Sequence, residues 1–232
     1  MPHVVVVTPT YNERETLPSL VEKIFALTIS GLSVIVVDDN SPDGTGAVAD
    51  ALARRFPVRV IHRREKSGLG TAYRDAFSEI IRTDADYVIQ MDADLSHDPA
   101  AIPSFLQAAT SCDVVLGSRY VSGGTIKRWD LKRRLLSRWG NAYARAVLGL
   151  PYRDVTGGYK CFRTAVLKKM DLAGLSSIGY NFQIETTYRA HRAGYRICEI
   201  PITFTERAAG ASKLNFRIIA ESFLKVLALK FL

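Results

Sequence analysis

The chain has 232 residues, 47% of them hydrophobic and 23% charged, which is the composition of a globular protein with a sizeable core. The net charge of +8 predicts a polyanionic partner, and composition alone does not choose among nucleic acid, anionic lipid and phosphorylated ligands. We expect no membrane-spanning helix, because no run of about 20 uncharged apolar residues is present. We also expect no signal peptide, because the apolar run at 4–7 is too short. The three widely spaced cysteines (Cys112, Cys161 and Cys198) argue against a disulfide framework and fit a reducing compartment.

Predicted strands and helices alternate along the chain. Short β-branched runs predict strands at 4–7, 34–37, 58–61, 87–91 and 114–116, with a later strand at 200–205. Helical patterns lie between them at 17–25, 44–55, 68–82 and 99–109. This alternation is typical of an α/β fold in which a mostly parallel, Rossmann-like sheet is flanked by helices. The sequence contains no linker or internal repeat, so we expect one domain over 1–232.

Two segments, 129–148 and 216–232, combine an apolar stripe with many basic residues. The stripes consist of Leu131, Leu135, Trp139 and Tyr143 in the first segment, and Phe216, Ile219, Phe223, Leu227 and Phe231 in the second. Either stripe, taken alone, could equally well pack on the protein's own core. Two basic, aromatic-bearing stripes in one small chain favour amphipathic helices that lie on a membrane surface.

The informative polar residues follow predicted strands. Residues 9–13 follow the first strand, 38–45 the second and 92–94 the fourth. Ligands in open α/β sheets bind outside the carboxyl ends of the strands. We therefore expect these three clusters to contribute to one pocket.

Asp92 and Asp94 are candidate metal ligands, because they place two carboxylates one residue apart at a strand end. Mg²⁺ or Mn²⁺ is held through one or two carboxylates together with phosphate oxygens and water. Such an ion neutralises the charge that develops on a diphosphate leaving group. The alternative interpretation is an acidic turn or solvated loop, and the position directly after a strand favours the metal site.

Other polar residues each have two interpretations. Asp38 and Asp39 are either turn residues before a helix, or carboxylates of which one accepts a hydrogen bond from a nucleoside base while Tyr11 covers its ring. Arg119 and the basic group at 207–213 either lie on the surface or offset the charge of a diphosphate. Rival motifs fail: no P-loop occurs, the glycines at 68–70 lack the third of a dinucleotide fingerprint, and the four histidines show no metal-ligand spacing.

Taken together, these segments resemble the inverting family 2 glycosyltransferases, and among them the dolichol- or polyprenol-phosphate mannosyltransferases. The resemblance runs from Val4 to the end of the chain, and the order of the motifs makes it specific. The motifs are P-T-Y-N-E at 9–13, D-D-N-S-P-D-G-T at 38–45, G-L-G-T-A-Y at 68–73, M-D-A-D-L-S-H at 91–97, G-S-R-Y at 117–120, W-D-L-K-R-R at 129–134, G-Y-N-F-Q at 179–183 and R-A-A-G-A-S-K at 207–213.

The resemblance implies a GT-A fold and a role for each matched residue. By this resemblance, the nucleoside end of the donor would be held by Pro9, Tyr11, Glu13, Val37 and Asp39. The metal and the diphosphate would be held by Asp92, Ala93 and Asp94. Ser96 would stand at the third metal-ligand position, directly or through water. The donor phosphates would be clamped by Arg119, Arg207 and Lys213, and the acceptor phosphate would meet Arg133 and Ser137. Asp92, Asp94, Arg119 and Arg133 are thus the expected catalytic residues.

The implied reaction transfers mannose from GDP-mannose to dolichol or polyprenol phosphate. A lipid phosphomonoester is already largely a dianion at neutral pH, so the reaction needs no general base. Two alternatives stay open: a polyprenyl-phosphate glucosyltransferase that uses UDP-glucose, and a non-catalytic basic module that binds membrane or RNA. We favour the enzyme, which has no nucleic-acid partner. It would lie peripherally on the cytoplasmic face of a membrane, with a membrane-anchoring subunit as a further partner to consider.

Overall fold

The computed structural model describes residues 2–177, 179, 181–206 and 216–231, and for 216–221 it describes the backbone alone. The strands are β1 (Val4–Thr10), β2 (Leu32–Asp38), β3 (Val58–His62), β4 (Tyr87–Gln90), β5 (Val114–Ser118), β6 (Thr125–Lys127), β7 (Lys160–Arg163), β8 (Ile197–Pro201) and β9 (Thr203–Thr205). The helices are α1 (Leu17–Phe25), α2 (Thr45–Ala53), α3 (Leu69–Ile80), α4 (Ile102–Ala109), α5 (Leu131–Leu148), α6 (Thr164–Lys169), α7 (Asn181–Arg192) and α8 (Phe216–Leu229), with a 3₁₀ turn at Pro99–Ala101.

A seven-stranded sheet in the order β3-β2-β1-β4-β7-β5-β8 forms the centre of the protein. Only β7 runs antiparallel to its neighbours in this sheet; the other described pairs are parallel. Val4 lies opposite both Leu32 of β2 and Tyr87 of β4, which aligns the carboxyl ends of these three strands. β6 and β9 form a separate two-stranded parallel sheet. The expectation of a mostly parallel α/β sheet flanked by helices is confirmed.

Two hydrophobic cores cover the two faces of this sheet. Val4 and Val6 of β1 face the core formed with α1, α2 and α4, whereas Val5 and Val7 face the core formed with α3, α6 and α7. A strand that is buried on both faces needs apolar residues at every position, which explains the unbroken valine run. A third core lies outside the sheet, where α5 and α8 pack against α7.

The predicted strand at 200–205 is wrong as a single element. β8 ends at Pro201 and β9 begins at Thr203 in the smaller sheet, so the chain changes sheets at Ile202. The Ile202 N–H donates to Ser118 of β5 (3.1 Å), and its carbonyl accepts from the N–H of Thr125 in β6 (3.0 Å). β6 and β7 were not predicted, because they are short and carry no apolar alternation.

The argument against disulfides was wrong for one pair of cysteines. A disulfide joins Cys112 to Cys198, whose Cα atoms lie 6.1 Å apart, and Cys161 is free and buried. The pairing depends on β5 and β8 being neighbours in the sheet, and spacing along the sequence does not reveal which strands are adjacent. Among the described helices, none is both long and apolar enough to cross a bilayer.

Candidate active site

A cavity of about 240 Å³ lies where the carboxyl ends of the central strands meet α5 and α8. Residues that follow β4 and β5 form its polar wall: Asp92, Asp94, His97 and Arg119. Residues of α5 and α8 form much of its apolar wall: Leu136, Trp139, Tyr143, Phe223 and Val226. One cavity therefore joins the acidic strand end to the two amphipathic helices.

Asp92 and Asp94 follow β4 in a tight turn. The backbone N–H of Ser96 donates to Asp94 Oδ1 at 3.0 Å. Leu95 makes this turn with a φ of 61°, which is strained for a bulky residue and is typical of functional sites. Within the described part of the chain, no group of three or more His, Cys, Asp or Glu residues could hold a metal ion. Two carboxylates fit Mg²⁺ or Mn²⁺ when diphosphate oxygens and water complete the coordination.

Ser96 and His97 follow the two aspartates along the chain. Ser96 is buried, and its hydroxyl has no hydrogen-bond partner among the described residues, but it is not part of the cavity wall. His97 is also buried, and its Nδ1 accepts a hydrogen bond from the backbone N–H of Asp92 at 3.1 Å. Burial lowers the pKa of His97 to about 4, so its ring is neutral at pH 7. His97 therefore supports the backbone of Asp92, a role that histidine spacing in the sequence could not reveal.

The residues expected at the nucleoside end lie along the same edge of the sheet, beside the cavity. Tyr11 stands under the ammonium group of Lys66, which is 3.5 Å from the centre of its ring. Asp39 is buried and forms an ion pair with Arg63 at 2.5 Å. Burial raises the pKa of Asp39, and the Arg63 charge offsets this only in part. Arg63 was not predicted, because the H-R-R-E-K stretch at 62–66 matches no motif.

The other three residues expected at the nucleoside end, Pro9, Val37 and Glu13, differ in which of their atoms a ligand could contact. Pro9 is partly buried in β1, directly opposite Val37 of β2. The side chain of Val37 is fully buried in the core, so only its backbone can face a ligand. Glu13 accepts a hydrogen bond from the Thr16 hydroxyl at 2.7 Å. Ala93, between the two aspartates, is likewise packed into the core.

Arg119 is held in the cavity wall by a buried ion pair with Asp154. Its Nε and Nη2 donate to the two carboxylate oxygens at 2.7 and 2.8 Å, and Nη2 also donates to Thr156 at 2.9 Å. Burial disfavours both charges, but their mutual attraction prevails: it raises the pKa of Arg119 and lowers that of Asp154. Asp154 was not predicted from the sequence, although it lies shortly before the glycine pair at 157–158.

α5 is anchored to the same wall by two polar contacts. Asn141 accepts from the backbone N–H of Val155 at 2.9 Å and donates to the Thr156 hydroxyl at 2.8 Å. Nearer its start, Ser137 accepts a hydrogen bond from the hydroxyl of Tyr120 at 2.7 Å. The position of α5 is thus linked to the Arg119–Asp154 pair.

Arg133 and Ser137, the expected acceptor residues, both line the cavity on α5. Arg133 forms an ion pair with Glu206 at 2.7 Å, and its guanidinium lies 4.4 Å from the ring centre of Trp129. The structure thus brings together five predicted residues: Asp92, Asp94, Arg119, Arg133 and Ser137. Arg207 and Lys213 lie outside the described residues.

Large exposed apolar side chains in the described part of the chain are confined to α5 and the C-terminal segment. They are Leu131, Leu135, Leu136, Trp139, Leu224, Leu227 and Phe231. Other described apolar residues of these helices pack inward, including Leu148, Val226 and Leu229. The ring of Phe223 lies 4.2 Å from that of Tyr143. A contiguous apolar surface beside basic residues is typical of a membrane or protein contact.

Comparison with known proteins points to one family. The family described as Glycosyl transferase family 2 matches residues 5–171. The chain is 45% identical to polyprenol monophosphomannose synthase of Mycolicibacterium smegmatis, over 95% of this chain and 84% of that protein. It is 42% identical to undecaprenyl-phosphate mannosyltransferase of Micrococcus luteus, over 96% of this chain and 92% of that protein.

Solved structures show the same fold. Glucosyl-3-phosphoglycerate synthase of Mycobacterium tuberculosis, crystallised with Mn²⁺, UDP and glucosyl-3-phosphoglycerate, is similar with a TM-score of 0.67. The match covers 98% of this chain and 78% of that protein at 21% identity. The same enzyme with phosphoglyceric acid gives a TM-score of 0.68 at 20% identity.

Proposed function

The chain belongs to glycosyltransferase family 2, and on that premise we propose that it transfers mannose from GDP-mannose to a polyprenol phosphate such as dolichol phosphate. The product is the polyprenyl-phosphate mannose. The two curated relatives, each over 40% identical along nearly the whole chain, carry names that describe this type of product. We further propose that residues 1–232 act as one catalytic domain.

The observation that carries this proposal is the set of residues that lines the cavity between the strand ends and α5. Its polar wall has two carboxylates and a buried arginine, which suit a sugar diphosphate. Its other wall has an arginine and a serine on an amphipathic helix, which suit the phosphate of a lipid. A donor and an acceptor bound there would have their reacting atoms in one enclosed space, and positioning is a large part of catalysis.

Asp92 and Asp94 would hold Mg²⁺ or Mn²⁺, whose chemistry there is to neutralise the charge on the departing diphosphate. An oxygen of the acceptor phosphate forms a bond to the anomeric carbon of mannose while the bond from that carbon to the diphosphate breaks. No proton has to be removed, because the attacking phosphate is already a dianion. His97 is not assigned a role as general base, because its Nδ1 already accepts a hydrogen bond from the Asp92 N–H.

The roles of the cationic residues follow from their contacts. Asp154 holds the guanidinium of Arg119 in place, so Arg119 offers a pre-oriented positive charge beside the diphosphate. Arg133 would pair with the acceptor phosphate instead of with Glu206. Arg207 and Lys213 remain proposed donor-phosphate ligands, on the resemblance alone.

We also propose that α5 and the C-terminal segment contact the cytoplasmic face of a membrane, because a polyprenyl tail stays in the bilayer. The exposed apolar side chains on these helices and their basic neighbours support this placement. A membrane-anchoring subunit that covers part of the same surface is compatible with it. No nucleic acid is required by any part of the proposed reaction.

The test is a donor screen by thermal shift, with GDP-mannose, UDP-glucose and UDP-GlcNAc, each with and without Mn²⁺. We expect GDP-mannose with Mn²⁺ to raise Tm most, because at equal concentration the donor with the lowest Kd stabilises the folded protein most. A ligand at 100 times its Kd stabilises by about 2.7 kcal/mol. In an activity assay with polyprenol phosphate as acceptor, GDP-mannose should also be the donor that is used best. A larger Tm shift with UDP-glucose would identify a glucosyltransferase. No Tm shift with any of the three donors would contradict the proposal that the protein is a glycosyltransferase.

A further inference from the structure

One buried side chain in the cavity wall has no visible purpose in the fold. Gln183, in the first turn of α7, lines the cavity and is 2% exposed. Neither its amide nitrogen nor its amide oxygen has a hydrogen-bond partner among the described residues. A buried amide without partners is unfavourable, and where such a group lines a cavity a bound ligand is one way to satisfy it.

Gln183 lies beside the proposed diphosphate site. A Cβ atom placed on Gly158 would lie 3.5 Å from Gln183 Nε2 and 3.6 Å from Asp92 Oδ1. The amide and the carboxylate therefore border the same small space, which the absence of a side chain at Gly158 leaves open. The sugar is covalently attached to the diphosphate, so it has to occupy space next to Asp92.

The backbone of Gln183 is held firmly from behind. The ammonium group of the fully buried Lys160 donates to the Gln183 carbonyl oxygen, and it also donates to the hydroxyl of Thr187 at 2.9 Å. On the adjacent position, the ring of Phe182 stacks on that of Tyr73 with their centres 5.6 Å apart. These contacts fix the first turn of α7, so the Gln183 amide can reach only a limited volume of the cavity.

We propose that Gln183 recognises the hydroxyl groups of the donor sugar and thereby sets the sugar specificity of the enzyme. The proposal rests on the proposed function and deepens it. A glutamine amide donates and accepts at once, so it can bind two neighbouring hydroxyls of a hexose. A buried polar site discriminates well, because a sugar with a hydroxyl in the wrong place leaves the amide unpaired.

The experiment compares Gln183→Met with the wild type, because methionine has similar length and no hydrogen-bonding amide. Affinities for GDP and GDP-mannose are measured with Mn²⁺, and kcat/KM is measured for GDP-mannose and GDP-glucose. We expect GDP affinity to change less than about twofold, because GDP has no sugar. We expect kcat/KM for GDP-mannose to fall about tenfold or more, and the preference over GDP-glucose to shrink.

Gln90→Met is the matched control. Gln90 in β4 is also fully buried with both amide atoms unpartnered among the described residues, but it does not line the cavity. This variant should keep the wild-type preference between the two donors. An unchanged preference in Gln183→Met, or an equal loss of affinity for GDP and GDP-mannose, overturns the proposal.

Two further arms keep the test decisive. If Gln183→Met does not fold, Gln183→Glu retains the length and the acceptor oxygen but replaces the amide donor with a second acceptor. It should also reduce the affinity for GDP-mannose relative to GDP. If the wild type uses UDP-glucose instead, the proposed function is wrong but the role of Gln183 is still tested. The readout is then the affinity for UDP-glucose relative to UDP, and an unchanged ratio would overturn the role.

Discussion

At the scale of single residues, the site depends on charges that are buried together with their partners. Arg119 and Asp154 are both almost inaccessible to water, and each satisfies the other through two hydrogen bonds. Removing one partner of such a pair leaves an uncompensated charge, which costs about 3–5 kcal/mol. Lys160 differs, because its buried ammonium group bonds to a carbonyl and hydroxyls rather than to a carboxylate.

Lys160 should make stability depend on pH. Burial lowers the pKa of its ammonium group to about 7, despite the charge of Asp154, which favours protonation. Above pH 7 the folded protein therefore binds fewer protons at this site than the unfolded chain, so folding becomes more favourable as pH rises. Relative to Lys160→Met, the unfolding free energy of the wild type should increase between pH 7 and 10, by up to about 1.4 kcal/mol per pH unit.

Urea denaturation of both proteins at pH 6.5, 8 and 9.5 measures this difference. Lys168→Met is the control, because Lys168 lies on the exposed face of α6 and should show no such trend. If the unfolding free energies of the wild type and Lys160→Met change with pH in parallel, the amine of Lys160 has the same charge in the folded and unfolded states over this pH range.

At the scale of elements, α5 divides into two halves with different surroundings. Asp130 caps its first turn by accepting from the Arg133 N–H at 2.7 Å, and the first half then exposes Leu131, Leu135 and Trp139. The second half packs into the third core and ends at Gly149 with a φ of 67°. Packing on the protein's own core thus describes the second half of α5, whereas the first half leaves its large apolar side chains exposed.

The exposed half of α5 should bind membranes. We expect the protein to sediment with vesicles that contain anionic lipid, and salt to weaken this binding, because each basic residue contributes on the order of 1 kcal/mol at such a surface. Trp139→Ser and Leu131→Ser should each reduce binding, since buried apolar groups add to that attraction.

Phe223→Ser is a contrasting variant. Its ring packs between Trp139 and Tyr143, so we expect it to lower Tm as well as vesicle binding. Leu131→Ser should lower binding with little loss of Tm, because Leu131 is largely exposed. If neither salt nor these substitutions change the amount of protein that sediments with vesicles, the membrane contact lies elsewhere on the protein. If the protein does not sediment with vesicles at all, α5 does not bind membranes by itself, and a partner subunit would have to supply the anchor.

At the scale of the whole molecule, the cavity lies between two parts of the structure, one that contributes polar residues and one that contributes apolar residues. The sheet and its flanking helices supply the carboxylates, and α5 and α8 supply the apolar wall. The polar network from Asp154 through Thr156 to Asn141 connects these two parts. Donor and acceptor functions should therefore be separable by mutation even though they share one space.

Two substitutions test this separation. Asp94→Ala should abolish turnover and make GDP binding insensitive to Mn²⁺, while vesicle binding and the fold remain. Arg133→Ala should raise the apparent KM for polyprenol phosphate and leave GDP affinity near that of the wild type. Calorimetry with GDP and steady-state assays at varied lipid measure both effects. Near-normal activity of Asp94→Ala, or equal losses for both substrates in Arg133→Ala, would contradict the assignment.

The sequence by itself determined the fold class, the family and most of the acidic and basic residues that line the cavity. It could do so because the sheet is parallel and buried: apolar runs mark the strands, and polar motifs directly after them must gather at one edge. Asp92 and Asp94 became candidates from local pattern and position, whereas the choice of a metal role for them and the roles of Arg119 and Arg133 rested on the family resemblance.

Only the tertiary structure decided which distant residues complete that edge. Asp154, Asn141, Lys160 and Gln183 come from segments that reach the site through the antiparallel β7, the docking of α5 and the first turn of α7. The pairing of Cys112 with Cys198 depends in the same way on the order of strands. Such contacts are set by long-range packing, whereas sequence periodicity reports only which face of a local element is apolar.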